Sequence, residues 1–310
     1  MTAPTSEAPQ TGITRLLEAH LVTQDPGASA TFHRAAFGFT VVPDSGAGQL
    51  LAVPGSTGGR LRLLPSQEEG PSATQDQPAD HPALWDPGTR LLGIYSRDLT
   101  DTVARAAAAG ARCRRPVTYA YGAAAMSELV LQGPDGVWWT VPAVPQTPMT
   151  PQPSPALDAD SERLHSELHS AVLVVSDHDA AVRFFVEGGG MSVVFDAPMA
   201  GADFEDLVGM PEGAVLRLAF LVGPDRAPGR IEVMSFEGVE QIDRSVESRG
   251  VTALVLGVRD LPGTMRALLA AGGERVSDTV LRGPGGLTVE LVEDGGTALE
   301  DSARQSAANH

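Results

Sequence analysis

The chain has 310 residues, with 22 Lys+Arg against 39 Asp+Glu and a formal net charge of −17. That balance supplies no basic stripe for phosphates, so nucleic acid is excluded as a partner. All the cations are arginines, because the sequence contains no lysine. Schiff-base chemistry, a pyridoxal aldimine and a GxxxxGK[ST] phosphate loop are therefore excluded as well. The single cysteine, Cys113, rules out an intramolecular disulfide and a multi-cysteine zinc site. No run approaches a membrane span, and MTAPTSEAPQTG lacks the basic and apolar regions of a signal peptide, so the expectation is a cytoplasmic protein with no membrane partner.

Taken in chain order, the sequence repeats one pattern four times. A short apolar strand ends at an aspartate, a helix follows and closes at a glycine turn, and further strands come after it. The strand segments are EAHLVTQD, LGIYSRD, AVLVVSD and ALVLGVRD, ending at Asp25, Asp98, Asp177 and Asp260. Each aspartate is placed to cap the next helix through its carboxylate. The helical segments GASATFHRAAFG, LTDTVARAAAAG, HDAAVRFFVEGG and LPGTMRALLAAG carry apolar residues at helical spacing. Glycine turns inside LQGPDGVWWTV and LRGPGGLTVEL join the closing strands. The unit is thus βαβββ, and four of them predict an α+β fold in which units pair into two domains, each with a cavity between concave sheets. The Pro-rich stretch near the midpoint reads as a linker. The expected division is an N-terminal domain 12–144, a linker 145–163, a C-terminal domain 164–296 and a disordered tail 297–310, in a monomer or homodimer.

The strand, Asp, helix and aromatic-pair run AVLVVSDHDAAVRFFVEGGGMSVV, with Phe184-Phe185, resembles the vicinal oxygen chelate superfamily of glyoxalases, bleomycin-resistance proteins and extradiol dioxygenases. Asp25 with Phe32-His33 repeats the spacing, and GRIEVM and GPGGLTVEL are similar to the family's closing strands. The resemblance implies metal ligands at two kinds of position: seven residues before the Asp, and the Glu of the last strand. In the C-terminal half these fall on Ser170, with His169 one residue off, on Ala253, and on Glu232 and Glu290. In the N-terminal half they fall on Glu18, Arg62, Leu91 and Thr140, which is no metal set.

Alternation puts Ser170, Val172 and Val174 towards the cavity and His169 on the helix side, unless a bulge at the strand start turns His169 inward. With that bulge, His169, Glu232 and Glu290 form a hard-donor set for Fe, Mn, Zn or Mg. Glu232 and Glu290 also read as a catalytic acid and base with split pKa values, or as solvated residues paired with an arginine such as Arg217. Glu18 and His20 share a strand face and form a second candidate acid–base pair. Arg62, Tyr95, Trp138 and Thr140 are expected to line that N-terminal cavity as substrate contacts, with Ser170 in the other. Trp138 and Trp139 are expected on opposite strand faces. His33, His81, His165 and His178 read as surface residues. The functional expectation is an isomerase, lyase or oxygenase acting on an apolar or aromatic metabolite. The alternative is a metal-free protein that sequesters a hydrophobic compound.

Overall fold

The computed structural model describes residues 12–67, 83–121, 124–133, 136–144, 152–224, 226, 228–243 and 249–294. Unit one comprises β1 (Ile13–Thr23), α1 (Pro26–Phe37), β2 (Thr40–Val42), β3 (Gln49–Ala52) and β4 (Arg60–Pro65). Unit two comprises β5 (Gly88–Ser96), α2 (Leu99–Ala108), β6 (Arg112–Cys113), β7 (Val117–Tyr121), β8 (Ala124–Gln132) and β9 (Trp138–Pro142). After the connecting helix α3 (Pro155–Ala159), unit three runs through β10 (His165–Val174), α4 (His178–Arg183), β11 (Ser192–Ala200), α5 (Ala202–Val208), β12 (Val215–Val222) and β13 (Arg230–Glu237). Unit four is β14 (Gly250–Val258), α6 (Leu261–Ala270), β15 (Glu274–Arg275), β16 (Val280–Arg282) and β17 (Thr288–Glu293).

The four aspartates cap as their position demands. Asp25 accepts from the backbone N–H of Ala28, Asp98 from Thr100 and Asp101, Asp177 from Ala180 and Asp260 from Gly263. Each carboxylate satisfies donors that the first helical turn leaves without intrahelical partners.

The units partner across the chain's midpoint. Unit one pairs with unit four in an eight-stranded sheet, ordered β15-β16-β17-β14-β1-β4-β3-β2. Unit two pairs with unit three in a nine-stranded sheet, ordered β11-β12-β13-β10-β5-β9-β8-β6 with β7 on β8. The seams are antiparallel, Ala19 opposite Leu254 in one and Ala171 opposite Leu92 in the other. A cavity is therefore lined by one unit from each half, whereas chain order alone suggested two units of the same half. The physical reason is the central strand edge: β1 and β10 each have one neighbour inside their own unit, and the free edge is closed by the unit from the other half.

Alternation sorts the faces. Ala19, Leu61, Leu254, Leu92, Ala171 and Leu173 point to one continuous core with Phe32 and Phe37 of α1, Ala106 of α2 and Leu268 of α6. Trp139 is fully buried there against Phe37, while Trp138 turns to the opposite face, as adjacent strand residues must. His33, His165 and His178 are buried, not surface residues. His33 is anchored on Ser29 O at 2.7 Å, and His165 on Thr102 Oγ1 at 2.8 Å. His81 lies outside the described residues. Within the Pro-rich stretch, Ser154 caps α3 and donates to the buried Glu167 carboxylate, and Ala156 and Leu157 are buried, so its second part packs as a docked helix. Among the described residues, no helix is long and apolar enough to cross a membrane.

Candidate functional site

A small cleft opens on one face of the nine-stranded sheet. β7, β8 and β9 supply Tyr119, Met126, Glu128 and Thr140 on one side; β11, β12 and β13 supply Met199, Leu218, Phe220, Arg230, Glu232 and Met234 on the other. The floor is set by register. Gly93 lies between Thr140 and Ser170, and Ser170 lies opposite Arg230, so one row crosses the sheet on the cavity face. A Cβ on Gly93 would stand 2.1 Å from Ser170 Oγ, so only glycine leaves room there for its neighbours.

At the floor, Arg230 and Glu232 form a buried ion pair. Arg230 Nη2 is 2.7 Å from Glu232 Oε1, Nε donates to the same oxygen at 2.9 Å, and Nη1 donates to Tyr95 Oη at 2.9 Å. The guanidinium also covers the Phe220 ring at 4.2 Å. Burial opposes its charge, but Glu232 and Tyr95 outweigh burial and hold Arg230 firmly protonated. Arg217, the partner suggested by sequence, lies elsewhere: it bonds Asp196 and Asp179.

β10 does carry an irregularity between Leu168 and Ser170, and the His169 ring stacks on Tyr95 with centroids 3.8 Å apart. Burial, with the Arg230 charge behind it, pushes His169 well below the ordinary histidine range. Its two ring nitrogens and Ser170 Oγ are buried without hydrogen-bond partners. Glu128 was not singled out from sequence. Tyr119 Oη donates to it at 2.5 Å and Thr140 Oγ1 donates to its other oxygen. Burial pushes its carboxyl up, the two hydroxyls pull against that, and the charge of Glu232 adds to the rise.

The eight-stranded sheet gathers a different group. Glu18 Oε1 accepts from Arg62 Nε at 2.5 Å and lies 3.0 Å from His20 Nε2. Arg62 reaches on to Asp44 at 2.6 Å. Burial raises the Glu18 carboxyl, but the bonds from His20 and Arg62 prevail and hold it below the usual carboxylate value. Glu290 faces this same sheet, opposite Val255, which is itself opposite Glu18.

The candidate residues are thus re-sorted. Glu232 and Glu290 lie in different sheets, so the paired-carboxylate reading fails, and so does the His169, Glu232 and Glu290 ligand set. Arg62 lies apart from Tyr95, Trp138 and Thr140 for the same reason. The residues present do not suit a divalent ion. Glu232 is already neutralised by a guanidinium, Glu18 by another, and among the described residues no three His, Cys, Asp or Glu side chains are placed to share one.

The comparisons with known proteins agree with this architecture. The model of the Glyoxalase/Bleomycin resistance protein/Dioxygenase superfamily matches residues 13–141 and 167–296. The chain belongs to that superfamily. Glyoxalase I from Zea mays is similar in structure, with a TM-score of 0.61 and 16% identity over 96% of each chain. A putative dioxygenase from Bacillus subtilis gives a TM-score of 0.56 and 10% identity, covering 94% of this chain and 89% of its own. These likenesses establish the fold. No curated protein matches the sequence.

Proposed function

We propose that the cleft of the nine-stranded sheet binds an apolar, partly aromatic small molecule without a metal ion, as a sequestering protein does. The observation that carries this reading is the buried Arg230–Glu232 pair. It places a fixed positive charge beside the carboxylate that the family pattern would offer to a metal. Phe220, Leu218, Met199 and Met234 give the ligand apolar contact, with methionines adapting to its shape. The raised carboxyl of Glu128 offers a hydrogen-bonding group at the opposite wall.

Thermal unfolding with 1-methylnaphthalene as probe tests the reading, because a ligand of the native state raises the melting temperature. The probe should raise it, and Phe220→Ala should weaken that rise. Mg(II), Mn(II), Fe(II) and Zn(II) should leave it unmoved. Stoichiometric metal on the wild-type protein that disappears in Glu232→Gln would overturn it.

A further inference from the structure

Among the described residues, the carboxyl of Glu128 has hydroxyl partners and no arginine. Alternation along β8 turns Met126, Glu128 and Val130 to the cleft face, and Met126 and Glu128 line the cleft itself. Both carboxyl oxygens are engaged. Tyr119 Oη, from β7, donates to Oε2 at 2.5 Å, and Thr140 Oγ1, from β9, donates to Oε1. Two hydroxyls aimed at the two oxygens suit an anion, because a protonated carboxyl has to donate from one of them. A carboxylate offers about four acceptor positions, so about two remain for a donor that comes through the cleft.

The cation that would balance such an anion is missing from the walls. Arg230 also lines the cleft, but its Nε and Nη2 are spent on Glu232, its Nη1 on Tyr95 Oη, and its face on the Phe220 ring. With Arg230 and Glu232 cancelling each other, an ionised Glu128 leaves the cleft with one negative charge in excess. Burial, and to a smaller degree the charge of Glu232, opposes that ionisation; the Thr140 and Tyr119 hydroxyls and Arg230 favour it, and burial prevails. A positive group brought in from outside would reverse the balance.

We propose that the ligand of this cleft is a hydrophobic primary amine, its ammonium hydrogen-bonded to the Glu128 carboxylate and its hydrocarbon packed on Leu218, Phe220 and Met234. The proposal rests on the reading of the cleft as a binding site and adds the charge that its ligand carries. Tyr119 and Thr140 are positioning residues, since each holds one oxygen of the carboxylate in place. An anionic ligand is disfavoured, because it meets Glu128 and finds the guanidinium of Arg230 already paired.

Titration calorimetry of the full chain near neutral pH with three matched probes is the test. 1-Naphthylmethylamine carries an ammonium where 1-methylnaphthalene ends in hydrogen, and 1-naphthalenemethanol donates a hydrogen bond there without charge. The amine should bind the wild-type protein at least about tenfold more tightly than either neutral probe, since charge-assisted hydrogen bonds are the stronger ones. Glu128→Gln should remove that advantage and leave the affinity for 1-methylnaphthalene as it was. Thr140→Val should weaken the amine about threefold, the worth of one hydrogen bond to the carboxylate, and spare 1-methylnaphthalene. An amine that binds no more tightly than the alcohol, an advantage that survives Glu128→Gln, or an amine affinity unmoved by Thr140→Val would overturn the proposal while the cleft remains a binding site. Failure of all three probes to bind would remove the binding site and the proposal together.

Discussion

Over the nine-stranded sheet, the charged groups are dry: Arg230 and Glu232 are each 4% exposed at the side chain and locked together. Over the eight-stranded sheet, a buried carboxylate is instead surrounded by partners that reach solvent, Arg60, Arg62 and His20. The same unit, repeated four times, thus yields one face whose floor is filled and another whose polar groups are still available. What separates them is where the arginine sits. At position 230 it is two residues from its glutamate on the same strand and folds back onto it; at 60 and 62 it comes from the neighbouring strand and spans the groove.

The largest expected contrast is in stability. Arg230→Met leaves Glu232 buried and unpaired, a loss of about 3–5 kcal/mol, whereas Arg60→Met should stay within about 1 kcal/mol of wild type, because Arg60 is itself 40% exposed, its contact with Glu18 is long, and Glu18 keeps Arg62 and His20. Urea unfolding measures both, and equal losses would erase the distinction between the faces.

Acid should sharpen it. Burial lowers His165 to about 4 and His169 well below its ordinary value, and both are on β10. The unfolded chain binds these protons first, so stability is complete above the ordinary histidine value near 6.5 and falls as the pH drops towards the native values. Glu128 and Glu167, raised mainly by burial, act in the opposite sense and temper the fall. The loss of stability from pH 7 to pH 5 should shrink in His169→Phe, which preserves the stack on Tyr95. An unchanged slope in that variant would show that His169 is not buried in its neutral form.

Two carboxamide substitutions complete the series. Glu18→Gln removes an ionised acceptor of charged donors and should cost about 2 kcal/mol. Glu128→Gln replaces a carboxyl that burial already biases towards neutrality, so at pH 6 it should cost less than about 1 kcal/mol. A larger loss for Glu128→Gln than for Glu18→Gln in urea unfolding would invert the assignment of their charge states.

Much of this is legible in the amino-acid sequence. The four capping aspartates, the face alternation of Val172 and Val174 against Ala171 and Leu173, and the juxtaposition of Glu18 with His20 all follow from local geometry, which strand and helix periods determine. The Arg230–Glu232 pair is legible too, since residues two apart on a strand share a face, although Arg217 on the neighbouring strand is an equal candidate by sequence. Ser154 followed by Pro155 likewise marks the start of α3 inside a stretch whose prolines read as linker. The partnering of units was not legible. Every unit has the same pattern, so nothing local says whether β1 will accept β5 or β14, and Glu290 cannot be assigned to a cavity until that is settled. Glu128 carries no local signature, because its role depends on Tyr119 and Thr140, which reach it only after β7, β8 and β9 have assembled.

The seams across the midpoint also govern how the chain reaches its native state. Ile13 pairs with Val258 and Ala19 with Leu254, so β1 finds this lateral partner only once β14, three units further along the chain, has been made. During synthesis β1 has β4 on one edge and nothing on the other, and contacts of such sequence separation close slowly. Neither half, produced alone, has the strand that covers its central edge. The two halves made as separate chains should therefore associate with each other, and the tie between Arg15 and Asp294, at 2.9 Å, would act as a late clasp that registers completion of the fold.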